Sequence, residues 1–244
     1  MKLPSREENA GASGEGFDFD GEYGRVYEDL VKQVMPCYEQ ISWITLAFLD
    51  RCVGAESRIL IAGAGTGTET ITIASARPAW RIVAVEPSAQ MMTVLKERVL
   101  RHSSELHVAL VQGTVCDLPQ NELYDGATAI LVMHLLPDDG TKLVFLRSII
   151  QRLKRNARFI LIDGQRELSD DHTQRFLTAW QTYCRERGTP QSTLDRHSNA
   201  ITSGESPFIS ESRTIELLQQ AGFGRIDKCF SVFHWNGYVC EKTE

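Results

Sequence analysis

Apolar positions recur along the chain with two periods, and the alternation between those periods lays out the expected elements. Over residues 25–49 the spacing is helical, with Val26, Leu30 and Val34 on one stripe and Ile41, Ile44 and Phe48 on the next. Pro36 divides that stretch into two helices, because proline cannot continue the first. Short apolar runs at 60–62 and 82–85 read as buried strands. Ser88 then caps a helix whose apolar face is Met91, Met92, Leu95 and Val99. Further strands are expected at 106–111, 127–132 and 159–162, with a helix from 138 to about 154 between the last two.

After the fifth strand, which ends at Asp163, the rhythm changes. A helical segment is expected over 171–187 and a polar, irregular one over 189–207. Ser210 or Ser212 caps a last helix that Gly222 stops. Strand-like runs at 230–233 and 238–240 flank Asn236-Gly237, a strong hairpin signal that places the turn at that dipeptide. Residues 1–16 are polar, glycine-bearing and charged, and read as a disordered tail.

Strands alternating with helices call for an α/β domain with a parallel sheet. A chain of 244 residues accommodates one such domain with an insertion. The net charge of −6 argues against a nucleic-acid partner, which needs a basic face. The one basic stretch, Arg147, Arg152, Lys154, Arg155 and Arg158, reads as the cationic C-terminal end of the helix preceding the fifth strand. The longest mostly apolar stretch, 127–136, is too short to cross a bilayer. Six scattered cysteines without a C-x-x-C pair suit neither a zinc site nor a disulfide framework; reduced thiols, no metal and a cytoplasmic location are expected.

The chemistry concentrates at Gly63-Ala64-Gly65-Thr66-Gly67-Thr68, between an apolar strand and a helix, and at Glu86, which ends the next strand. That separation is what a βαβ unit needs to bring a carboxylate beside the turn. Glycines let a backbone approach a ligand, and a carboxylate accepts charge-assisted hydrogen bonds from ribose hydroxyls. No lysine follows the glycines, so a nucleotide phosphate loop is excluded. Thr68 replaces the third glycine of a dinucleotide turn. A nucleoside cofactor without phosphates remains, namely S-adenosylmethionine (SAM), leaving S-adenosylhomocysteine (SAH) as product.

These residues together resemble the class I SAM-dependent methyltransferases and, within them, the carboxy-SAM synthases and their methyltransferase relatives. The resemblance implies a Rossmann-like α/β fold: a seven-stranded, mostly parallel sheet with a C-terminal antiparallel hairpin. It also implies one domain over 17–244, with a helical lid at 17–54 and a helical or irregular insertion at 165–208 after the fifth strand. By that resemblance Gly63, Ala64, Gly65 and Thr66 form the cofactor turn, Glu86 and Pro87 the ribose-binding pair, and Thr114 and Val115 the adenine loop. Leu131 opens the strand-end motif facing the methionyl moiety, and Tyr38 matches a cofactor-contacting tyrosine. Arg196 matches an anion-binding arginine donated across a homodimer interface.

Three departures stand beside those matches. Ile61 occupies the usual place of an acid, Thr114 that of an aspartate meeting the adenine amine, and Ile130 that of the synthase's asparagine. Asp117 either replaces the missing adenine partner or closes a turn. His134, at a strand end, is a candidate general base, with packing as the alternative; Asp163, His172 and His197 are weaker candidates. The expected activity is methyl transfer to a small-molecule acceptor by in-line displacement in a lidded pocket, with His134 and Arg196 acting on the acceptor, which then carries an anionic group. A SAM-modifying synthase and a non-catalytic SAM-binding module stay open as alternatives.

Overall fold

The computed structural model describes residues 17–50, 53–102, 106–166, 170–203 and 207–243. Helices α1 (Glu22–Val34) and α2 (Tyr38–Asp50) precede the sheet and are separated at Pro36. The core follows as β1 (Arg58–Ala62), α3 (Thr68–Ala76), β2 (Arg81–Glu86), α4 (Ala89–His102), β3 (Val108–Gln112), β4 (Tyr124–Ile130), α5 (Thr141–Ile150) and β5 (Leu153–Gly164). Helices α6 (Asp170–Glu186) and α7 (Gln191–Thr202) form the insertion, and α8 (Glu211–Ala221), β6 (Phe223–Val232) and β7 (Trp235–Lys242) complete the chain.

The seven strands lie in the order β3-β2-β1-β4-β5-β7-β6. Strands β1 to β5 pair in parallel, and β7 runs antiparallel to both β5 and β6. The order reverses between β1 and β4, so their carboxyl ends open the crevice where ligands bind in such sheets.

Alternation along the central strands sends successive side chains to opposite faces. Leu60, Ala62, Val83 and Val85 pack with Phe145, Leu146, Leu217 and Leu218 of α5 and α8. On the other face Ile59, Ile61, Ile82 and Ala84 pack with Leu46, Leu49, Ile73 and Leu95 of α2, α3 and α4. Ile61, which stands where an acid was expected, is thus core. A third cluster joins the insertion to α1: Leu177, Trp180, Cys184, Leu194 and Ile201 meet Val34, whose carbonyl accepts the Trp180 indole N–H at 2.6 Å.

Four expectations are corrected. Helix α5 ends at Ile150 and β5 begins at Leu153, so only Arg147 of the basic stretch lies in a last helical turn. Arg152 is buried in the connection and donates to Ser148 O and Leu118 O, while Lys154, Arg155 and Arg158 lie on β5. Residues 191–202, expected to be irregular, form α7, because Leu194, Ser198 and Ile201 bury one helical stripe under a polar exterior. The β6–β7 turn falls at Phe233-His234, with Phe233 at φ 50°, and Asn236-Gly237 lies inside β7. A Cβ on Gly237 would come within 2.9 Å of Phe230 Cβ and 3.0 Å of Ile162, so this glycine serves strand packing.

The capping expectations agree with the structure. Ser88 Oγ accepts from Met91 N at 3.1 Å, Ser210 Oγ from Arg213 N at 3.1 Å, and Gly222 ends α8 at φ 111°. The expected tail lies outside the described residues. No described helix is long and apolar enough to cross a membrane.

Candidate functional site

The turn after β1 is held by its neighbour strand: Gly63 N and Ala64 N both donate to Val85 O at 2.9 Å. Gly63, Gly65 and Gly67 all have positive φ (75°, 55° and 92°), yet they do different work. A Cβ on Gly63 would strike Val132 at 2.4 Å, and one on Gly67 would strike Leu95 at 2.3 Å. Those two glycines let helix and strand ends pack. A Cβ on Gly65 would meet nothing within 4 Å, so this residue alone of the three borders open space.

Glu86 stands at the end of β2, buried, with one carboxylate oxygen accepting Gly65 N and the other Ser88 N, each at 2.8 Å. Burial raises its pKa above the usual carboxylate value, and the two backbone donors oppose that rise. Each oxygen keeps a second lone pair with which to accept a ribose hydroxyl. The segment before α1 folds over this corner. Ser88 Oγ lies within hydrogen-bond distance of Phe19 O (3.0 Å) and Asp20 Oδ1 (2.9 Å), and Gln90 N donates to Asp20 Oδ1 at 3.2 Å. Above it Phe19, Tyr23 and Tyr27 make edge-on aromatic contacts, and burial among them raises the Tyr27 phenol well above its usual range.

Tyr38, at the start of α2, is buried enough to push its phenol up to about 12, with the Thr68 side chain opposing. Thr66 is buried beneath the turn, where the Glu28 carboxylate pairs with Arg98 and reaches toward the Thr66 and Thr68 hydroxyls. Pro87 is exposed between Glu86 and the cap Ser88. Thr114 and Asp117 form a capping box: Asp117 Oδ2 accepts Thr114 N at 2.7 Å and Thr114 Oγ1 at 2.8 Å. The Asp117 carboxylate is therefore occupied by its own turn, while Val115 is buried beside it.

At the end of β4, Leu131 takes a left-handed φ of 59° and donates its N–H to Ile162 O at 2.7 Å. A non-glycine residue there carries local strain. The chain then turns through Met133–Leu135 and presents His134, whose Nδ1 is bonded to Asp163 at the end of β5. Both side chains are buried, and the His134 ring packs against Phe208 and Trp235 at 4.9 and 5.7 Å between centroids. A carboxylate on Nδ1 fixes the tautomer and leaves Nε2 as the acceptor. Lys142 sits beneath the turn, fully buried, and donates to Met133 O at 2.5 Å. Burial pulls its amine down to about 8, with the charges of Asp163 and Asp138 opposing.

Arg196 is exposed on α7, close enough to Tyr23 for its charge to oppose the burial that raises that phenol. His197, next to it, packs against Phe17 and Trp180, and its Nε2 has no partner. Among the described residues no group of three or more His, Cys, Asp or Glu side chains could hold a metal ion. Glu28, Asp20 and Lys142 carried no motif. Their roles come from α1 and its approach crossing the turn and from α5 packing beneath His134.

Residues 60–159 match the family model described as a methyltransferase domain. The chain is 22% identical over 230 residues to carboxy-S-adenosyl-L-methionine synthase 1 of Yersinia pseudotuberculosis, covering 92% of this chain and 93% of that protein. It is 24% identical over 232 residues to the carboxy-S-adenosyl-L-methionine synthase of Shewanella loihica, covering 93% of each. Among solved structures, magnesium protoporphyrin IX methyltransferase from Synechocystis with bound SAM superposes with a TM-score of 0.64 at 12% identity, over 94% of this chain and 100% of that one. The plantazolicin methyltransferase in complex with SAH gives 0.66 at 12% identity, over 91% of each chain. The chain has the fold of the class I SAM-dependent methyltransferases. In sequence it is similar, over nearly its whole length, to the carboxy-SAM synthases at 22–24% identity.

Proposed function

We propose that this protein binds SAM across the carboxyl ends of β1, β2 and β4 and transfers its methyl group to a small-molecule acceptor. The observation that carries the reading is Glu86, a buried carboxylate fixed by Gly65 N and Ser88 N beside the one glycine of the β1 turn that borders open space. SAM, when bound, supplies an electrophilic methyl on a sulfonium. Glu86 would hold the ribose, Gly65 would admit the ligand against the backbone, and Val115 would line the adenine. The strained Leu131 and the Gly63–Ala64 turn would border the methionyl part, with Tyr38 and Pro87 at its margins. The phenols and phenylalanines before and along α1 would exclude water.

His134 would take a proton from an acceptor hydroxyl or amine at Nε2, with Asp163, bonded at Nδ1, holding the ring and offsetting the charge that results. Alignment of acceptor and methyl supplies much of the remaining acceleration. Arg196, exposed beside Tyr23, would meet an anionic group at the mouth of the site, its own or that of a second copy in a homodimer. Titration calorimetry with SAM tests the cofactor; no heat at millimolar SAM would end the reading. Labelled SAM incubated with metabolite pools then identifies the acceptor.

Carboxy-SAM synthesis is the second reading, favoured by the names and the nearly full coverage of the curated relatives. Ile130 opposes it, since a side chain without a hydrogen-bonding atom stands where those proteins' asparagine is expected. Mass spectrometry of the nucleoside that co-purifies with the protein separates the two: SAM or SAH supports the first, a carboxylated SAM the second.

A further inference from the structure

Arg152 is buried in the connection between α5 and β5, and its backbone is held from both sides. Its N–H donates to Ile149 O at 2.9 Å, and its carbonyl accepts Tyr124 N at 2.8 Å. Among the described residues its guanidinium meets carbonyl oxygens and no carboxylate. Nη1 donates to Ser148 O at 3.0 Å, Nη2 to Leu118 O at 2.7 Å and to Cys116 O at 3.4 Å, and Nε is buried without a partner. A buried cation without a counter-charge is costly, and an apolar side chain of similar volume would pack there at less cost. What Arg152 brings instead is a planar fork whose donors point in fixed directions.

Those donors reach the turn after β3 that would line the adenine. The turn, Val115–Asp117, closes most of its own hydrogen bonds. Asp117 N donates to Thr114 O at 3.0 Å and Leu118 N to Val115 O at 3.3 Å, while Asp117 Oδ2 accepts both Thr114 N and Thr114 Oγ1. Cys116 O and Leu118 O are left over, and Arg152 Nη2 takes both. The other arm, Nη1, fastens the same group to the last turn of α5. Val115 and Leu118, on either side of this anchor, are buried in the core cluster that also holds Ile149 and Leu153. The placement of the turn is thereby tied to the end of α5 and the start of β5.

We propose that Arg152 is a positioning residue for the cofactor: it fixes the 114–118 turn and through it sets the affinity for the adenine, without touching the ligand. This role rests on the SAM-binding reading for its ligand and on the Arg152 bonds for its physical basis. Lysine, a point charge on a flexible stem, has no fork with which to hold Ser148 O, Cys116 O and Leu118 O at once.

The test measures two ligands by calorimetry on the full chain: SAH, and S-ribosylhomocysteine, which is SAH without the base. The parent should bind SAH the more tightly, and the ratio of the two affinities reports the adenine. Arg152→Met should weaken SAH about tenfold, the equivalent of one lost hydrogen bond to a charged group, and leave S-ribosylhomocysteine unchanged. Arg152→Lys should recover part of that loss. Should the Met variant not fold, the Lys variant, which keeps the buried cation, carries the same comparison with a smaller loss confined to SAH. Equal weakening of both ligands, unchanged SAH affinity in the folded variants, or a parent that binds the two ligands alike would overturn the positioning role and leave SAM binding standing. A parent that binds neither ligand would defeat the SAM reading itself, and this role with it.

Discussion

The Glu86 carboxylate accepts the backbone N–H of Gly65 at 2.8 Å, tying the end of β2 to the turn that follows β1. One acid thus shapes the glycine turn and presents free lone pairs to whatever lies beside it. Glu86→Ala should weaken SAM binding by about 1.5–3 kcal/mol, the range for hydrogen bonds to charged groups. The fold should persist, because the residue closes a strand end. Calorimetry and circular dichroism on the same sample give both numbers; unchanged SAM affinity would remove Glu86 from the ribose role.

Matched substitutions at two glycines should separate packing from ligand approach. Gly63→Ala places a methyl 2.4 Å from Val132 at φ 75°, so it should lower the melting temperature markedly. Gly65→Ala meets no protein atom within 4 Å and incurs only the left-handed backbone cost, about 1–2 kcal/mol, while its methyl enters the space assigned to the cofactor. It should therefore lose SAM affinity with much less loss of stability. The reverse pattern would put the ligand elsewhere.

Asp163→Asn should test whether His134 works on a proton. With the carboxylate gone, the imidazolium loses its stabilising charge and the tautomer is no longer fixed. Turnover should fall by about 10²–10⁴, the usual worth of general acid–base catalysis, with SAM affinity unchanged. A variant that loses stability but turns over normally when folded would return His134 to a packing role.

The parallel core was legible because buried strands separated by amphipathic helices leave a strong apolar pattern, and the Gly65 turn and Glu86 were legible because a βαβ unit fixes their spacing. Helix α7 was missed because polar residues dominate it; the Leu194, Ser198 and Ile201 stripe emerges only when α7 packs against α6. The hairpin was anticipated but its turn was misplaced, since Asn236-Gly237 has turn chemistry and yet Asn236 is bonded to Gln165 and Ser231 inside β7. The His134–Asp163 pair joins the ends of adjacent strands 29 residues apart in sequence, a contact that only the β4–β5 register defines. Nothing local marked Lys142, whose character comes entirely from burial.

Lys142 should leave a signature in the pH dependence of stability. Its amine is drawn to about 8 in the folded protein from an ordinary value of 10.5, so the unfolded chain holds more protons between those limits. Stability contributed by this group therefore rises with pH from about 8 to 10.5 and is flat below, where both states are charged. Lys142→Met keeps the aliphatic length and removes the charge. It should flatten that alkaline rise and, by sparing the protein a buried ammonium, leave it at least as stable at pH 7 as the parent, unless the lost bond to Met133 O loosens the His134 turn. Urea melts at successive pH values measure the first effect, and the turnover number of the same variant measures the second. A Met variant with the parent's full alkaline slope would show that Lys142 is charged and satisfied in the folded state.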